Sequence, residues 1–180
     1  MTVAINAPDR VERLVLVDPV TNDGPTRHPI LRLAAIRGVG EIITPLIADS
    51  RFFMRHRMRG TLHKSSHHLI TRDRMDAIRR PLASSEGHHS LLATSRKWSA
   101  AHIIRDADKI KAPTLIIWGE NDAVIPVEDG HELHRRIPTS RLIILKECGH
   151  VPPEEKSDVF VDLVSKFCSD DRGATRQSPN

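Results

Sequence analysis

Asp122 and His150 are the residues best placed for acid–base chemistry. Each sits in a short loop that follows an aliphatic run. Trp118-Gly119-Glu120-Asn121-Asp122-Ala123-Val124-Ile125-Pro126 follows TLII, and Glu147-Cys148-Gly149-His150-Val151-Pro152-Pro153 follows RLIILK. If those runs are neighbouring parallel strands, the carboxylate and the imidazole project from one sheet edge. A carboxylate beside an imidazole fixes its tautomer and stabilises the imidazolium formed when the ring takes a proton. A glycine in each loop lets the chain turn sharply against another backbone. Such a pair serves as acid and base to a nucleophile.

Other groups compete for these roles. Asp18 also ends an aliphatic run, RLVLVD, and is the alternative acid. Pro19 follows it directly, and Asp122 is preferred. Cys148 lies two residues from His150, but close neighbours in a loop rarely point at one target, so it is not read as the nucleophile. The sequence has 11 histidines. His63 and His67 are four apart, and His131 and His134 three apart. A zincin needs Glu directly after its first His, where Lys64 stands, and no Cys or carboxylate cluster completes a site. Neither a metal nor a cofactor is expected.

The elements that must position this pair are legible as a pattern. Thr2 to Ala7 reads as a helix end stopped by Pro8. Arg13 to Asp18 is dense in aliphatic residues and reads as a strand buried on both faces. Residues 30 to about 104 read as helices: Ile30 to Ile36, Glu41 to Ile47, Ser50 to Met58, a Thr71-capped helix to Arg79 ended by Pro81, and Gly87 to Trp98. After Asp108 the strand pattern returns with Thr114 to Trp118 and Arg141 to Lys146, separated by a helix that starts at Pro126. The last helix spans Glu154 to Cys168, with Val159, Phe160, Leu163, Val164 and Phe167 on one face. Residues 170–180 have the composition of a disordered tail. Strands alternating with helices imply a parallel, right-handed α/β sheet whose chemistry gathers at the C-terminal strand ends.

Composition narrows the class. The 180 residues suit one domain of ordinary size. No apolar run approaches the roughly 18 residues of a membrane span. Met1 to Arg10 does not read as a signal peptide, so the expected location is cytoplasmic. Cys148 and Cys168 form no framework and are expected to be reduced and buried. Residues 51–80 hold nine Arg and Lys, whereas 106–162 are net acidic. The basic stretch reads as a solvated helical face; nucleic acid is not the expected partner, although a basic patch could attract it or anionic lipid.

The chain resembles the α/β-hydrolase superfamily over two stretches. Pro8 to Pro19 (PDRVERLVLVDP) looks like the helix end and sixth strand of that fold. Ile110 to Phe167 looks like its seventh strand, acid loop, helix, eighth strand, His loop and final helix. The match rests on IKAPTLIIWGENDAVIP with the Gly-His of Cys148-Gly149-His150 following 28 residues after Asp122. The resemblance implies Asp122 as triad acid and His150 as general base, in the family's chain order Ser, Asp, His. It also implies an architecture: a partial α/β-hydrolase parallel sheet of three strands from residues 1–19 and 106–169, with a helical cap inserted at 20–105. The cap would shape the substrate pocket. Its candidates are Phe52, Phe53, Met54, Leu69, Leu91 and Trp98, with Val124 and Val151 from the two loops; for any single cap residue the favoured reading is core of the cap.

The family's nucleophile sits on G-x-S-x-G, and no glycine here is followed two residues later by serine. In the family's order that elbow falls roughly ten residues before Met1, and the oxyanion loop earlier still. The chain is therefore expected to be a C-terminal portion, inactive alone. Its RLVLVD edge is expected to pair with an N-terminal half or with itself. The expected reaction is hydrolysis of a small-molecule ester, or a related acyl or carbon–carbon bond. With no tyrosine, the epoxide hydrolase branch is disfavoured, as is the dehalogenase branch, where only Trp98 lies in the cap. A different class stays open: a non-catalytic remnant or interaction module with a basic cap surface.

Overall fold

In the computed structural model, which describes residues 1–21, 33, 36–97 and 99–170, three strands form one parallel sheet. They are β1 (Leu14–Val17), β2 (Thr114–Gly119) and β3 (Ser140–Leu145), in the order β1-β2-β3. The register pairs Val17 with Ile117, and Ile117 with Ile143, so all three strands end along one edge.

The side-chain period of two sorts β2 onto two faces. Ile116 and Trp118 point into one core, with Leu133 and Ile137 from the helix Val127–Arg136 and with Ala4, Ile5, Ile103 and Ile110. Leu115 and Ile117 point into the other, with Leu145, Cys148 and Phe167 and, partly buried, Phe160, Leu163 and Val164 of the helix Ser157–Ser169. Every residue of β2 is buried. In β1 only Leu16 is fully buried, because among the described residues this strand has a partner on one side alone; the expectation of burial on both faces holds for β2 and fails for β1.

Between β1 and β2 the described α-helices are Val39–Ala48, Arg51–Thr61, Arg72–Leu82, Ser85–Lys97 and Ala101–Arg105, with 3-10 turns at Lys64–Leu69 and Ala107–Lys109. Thr71 caps its helix, its Oγ1 accepting from Arg74 N–H at 3.2 Å. That helix passes Pro81 and ends at Leu82 rather than before the proline. A proline in the last turn removes one donor, and the Ala83 N–H still closes the end on the Arg79 carbonyl at 2.8 Å. Met54, Met58, Leu62, Ile70 and Met75 give this segment an apolar cluster of its own, on which Leu69, Leu82 and Val151 pack. Most of Ile30 to Ile36, and the 171–180 tail, lie outside the described residues.

The final helix also departs from expectation. It breaks at Lys156 (φ −136°, ψ 47°) into Pro152–Glu155 and Ser157–Ser169. Pro152 and Pro153 favour a helix start, and the Glu155 side chain turns back onto the preceding loop. Cys148 is free and buried as expected, but Cys168 is exposed on the outer side of the helix. No described helix is long and apolar enough to cross a membrane.

Candidate active site

The β2 and β3 loops converge. Asn121 N–H donates to the Cys148 carbonyl at 2.9 Å, and Glu120 N–H to the Leu145 carbonyl at 2.9 Å. Gly119 backs directly onto Gly149; a Cβ on Gly119 would stand 2.7 Å from the Cys148 carbonyl oxygen and closer still to that of Gly149. The close approach of these two backbones is what demands glycine there.

Within this junction Asp122 Oδ2 lies 2.7 Å from His150 Nδ1. Asp122 Oδ1 accepts two backbone N–H groups, from Val124 at 2.7 Å and Ile125 at 2.9 Å. Its side chain is fully buried, whereas that of His150 keeps 26 % of its surface exposed. Because a carboxylate only accepts, Nδ1 carries the proton and Nε2 is left as the acceptor. Among the described residues nothing bonds to Nε2, so it is available to take a proton from a nucleophile. Burial pulls the His150 pKa down. The hydrogen bond and charge of Asp122, followed by the charges of Asp18 and Glu155, outweigh it and leave the net value raised above 6.5.

Asp18 joins the same cluster. It follows β1 with a left-handed backbone (φ 39°), a conformation Asp tolerates better than most residues. Its Oδ1 accepts Gly119 N–H at 3.0 Å, while its buried Oδ2 has no hydrogen-bond partner among the described residues. Burial, with Asp122 nearby, pushes its pKa up to about 7, against the opposing Gly119 bond. Asp18, Asp122 and His150 each offer an atom within 4.8 Å of the others, a spacing a cation could bridge. Both Asp122 oxygens are already engaged by N–H donors, so a cation would have to displace His150. Cys148 is buried, and burial, then the charge of Glu155, pushes its thiol up to about 12, away from the thiolate a nucleophile needs.

Beside the His150 loop is a cavity of about 220 Å³. Met54 and Val151, both named from sequence, line it. Met58, Leu62 and Leu82 also line it, with Arg57 and Arg74. Met54, Met58 and Leu62 recur every fourth residue, a helical period that could have revealed them. The other candidates fall elsewhere: Phe52 is largely exposed, Val124 is exposed, Phe53 is exposed with its ring edge-on to Phe52, and Leu69 and Leu91 are half-buried. Trp98 lies outside the described residues. Glu155 is not singled out by the sequence, falling without distinction in the expected helix Glu154 to Cys168.

Comparison with known proteins gives the family and the fold. The family model described as serine aminopeptidase, S33, a group of α/β-hydrolases, matches residues 1–157. The uncharacterized hydrolase YugF of Bacillus subtilis (strain 168) is 29% identical over 99 residues, covering 55% of this chain and 36% of that protein. A 2-hydroxy-6-oxononadienedioate/2-hydroxy-6-oxononatrienedioate hydrolase of Klebsiella pneumoniae is 44% identical over 59 residues, covering 33% of this chain and 20% of that protein. Among solved structures, the meta-cleavage product hydrolase CumD of Pseudomonas fluorescens IP01, complexed with acetates, superposes with TM-score 0.75 at 20% identity. The match covers 94% of this chain and 60% of that one. The structural likeness establishes the fold. The chain spans about a third or less of the curated relatives it matches.

Proposed function

The chain belongs to the serine aminopeptidase S33 family of α/β-hydrolases, and on that premise we propose that Asp122 and His150 are the acid and base of a serine-type hydrolase. The nucleophile lies outside these 180 residues, none of which stands in a G-x-S-x-G elbow. His150 Nε2 takes the nucleophile's proton and returns it to the leaving group, and Asp122 holds the ring and stabilises the imidazolium. The substrate is a small molecule with an ester, a related acyl group or a cleavable carbon–carbon bond. The helical segment between β1 and β2 acts as a cap, and the cavity lined by Met54, Met58, Leu82 and Val151 is part of its pocket. No metal or cofactor enters this scheme. The observation that carries the reading is the 2.7 Å contact of His150 Nδ1 with an Asp122 carboxylate whose other oxygen is pinned by two backbone donors.

The test has two arms. The purified chain is expected to turn over no p-nitrophenyl ester; hydrolysis abolished by His150→Ala would overturn the assignment of the nucleophile. Expressed with an upstream in-frame segment carrying G-x-S-x-G, it is expected to hydrolyse such esters, with kcat falling by on the order of 10⁴ on Asp122→Asn. Equal activity in that variant removes Asp122 as the acid.

One observation favours a second reading, a non-catalytic module. Arg55, Arg57, Arg59, Lys64, Arg72 and Arg80 are all exposed on the helical segment. Binding to DNA or anionic vesicles with a steep salt dependence would support it; absence of binding at low salt would remove it.

A further inference from the structure

Glu155 lies five residues beyond His150, and the chemistry proposed above gives it no part. Its Oε1 accepts the N–H groups of Gly149 at 3.0 Å and Val151 at 3.1 Å, the two residues that flank His150. Its Oε2 accepts the N–H of His63 at 2.7 Å, from the helical segment. The N–H of His150 itself donates to the Thr61 carbonyl at 2.8 Å. Thr61 ends the helix Arg51–Thr61, so that carbonyl is one of the four a helix leaves without an internal partner. Three consecutive N–H groups, 149 to 151, are thus held by Glu155 and by the end of one helix. The contact is tight: a Cβ on Gly149 would stand 2.5 Å from the Thr61 oxygen, 2.7 Å from the His63 nitrogen and 2.9 Å from Glu155 Oε1. Arg74 adds an ion pair to the neighbouring Glu154.

We propose that Glu155 is a positioning residue, a single carboxylate through which the helical segment fixes the orientation of His150. One oxygen grips the backbone on both sides of the imidazole-bearing residue, and the other grips the segment packed over it. A shift of the segment therefore moves the His150 backbone rather than sliding past it. The inference rests on His150 being the base, and it adds a way for occupancy under the segment to be felt at that base.

The experiment uses the full chain labelled with ¹⁵N-histidine. The Nδ1–H of His150 bonded to Asp122 is expected as a slowly exchanging low-field proton, identified by its loss in Asp122→Ala. His63→Pro deletes one donor. The His63 backbone has φ −63°, which proline adopts, and Leu62 (φ −97°, ψ 148°) suits the position before proline. His63→Ala keeps the N–H and removes the same imidazole, including its bond to Ser65 N–H. Glu155→Gln leaves one acceptor oxygen where two are needed. The low-field proton is expected to shift and to exchange at least tenfold faster in His63→Pro and Glu155→Gln, and to stay unchanged in His63→Ala. Unchanged position and exchange in folded His63→Pro overturns the proposal, whether or not Glu155→Gln folds. Equal change in His63→Ala and His63→Pro also overturns it, since the imidazole rather than the N–H would be responsible. If the parent chain shows no proton that depends on Asp122, the assignment of His150 as base fails first.

Discussion

The carboxyl groups of Asp18 and Asp122, from the ends of two adjacent strands, share one buried cluster with the His150 imidazole. They are not equivalent. Asp122 has both oxygens engaged by donors, whereas Asp18 has one oxygen bound to Gly119 N–H and one with no partner among the described residues. A buried carboxyl group beside a second one, with one oxygen lacking a donor, holds its proton more tightly. Asp18 is that one, with its pKa pushed up to about 7 by burial and then by Asp122.

A pH dependence of stability follows. Asp18 binds its proton more tightly in the folded chain than its ordinary value of 3.8 allows. Its contribution is present below that value and is lost as pH rises towards about 7. His150, also raised, acts in the same sense above 6.5. The melting temperature is therefore expected to fall between mildly acidic and mildly basic pH. Asp18→Asn keeps the acceptor for Gly119 and tolerates the left-handed backbone. It should flatten this slope and melt above the parent chain on the basic side. Circular dichroism melts across the range check this; parallel curves for the two proteins refute it.

The two cysteines should separate cleanly by reactivity. Cys148 is buried with its thiol pushed up to about 12, and Cys168 is exposed. An aromatic disulfide reagent is expected to titrate one thiol per native chain and two in denaturant. Cys168→Ser should abolish the native reaction.

Core and surface positions of similar hydrophobicity should differ sharply. Ile117 is fully buried in β2, and Ile117→Ala is expected to cost about 2–5 kcal/mol. Phe52 is 75% exposed, and Phe52→Ala is expected to stay within about 0.5 kcal/mol. Urea denaturation measures both. A loss of comparable size at Phe52 would mean that its ring is covered in solution.

What sequence reveals here depends on the length scale of the force involved. The three strands are legible because their aliphatic runs are dense and short, and the Asp122–His150 contact follows once those strands are parallel neighbours. Phe52 and Phe53 illustrate a limit: apolar character within the expected cap suggests a pocket, but the helical phase that buries Met54 turns both outward. Glu155 illustrates another. Its partners Gly149 and Val151 are local, but the third, His63, is 92 residues away, and no spacing rule connects them. Asp18 reads from sequence as a rival acid. Its second oxygen, without a hydrogen-bond partner among the described residues, and its raised pKa arise from burial in the fold, which composition does not encode.

The pairing frame of β1 on β2 carries one more consequence. Leu14 opposite Thr114 and Val17 opposite Ile117 bring Asp18 alongside the N–H of Gly119. Successive side chains of a strand face opposite ways, so sliding β1 by a single position would exchange its two faces. Asp18 would then leave the imidazole and point to the far side, while a neighbouring apolar group took its place. Ladder alignment thereby acts as an address that delivers a proton-binding group to the neighbourhood of the base.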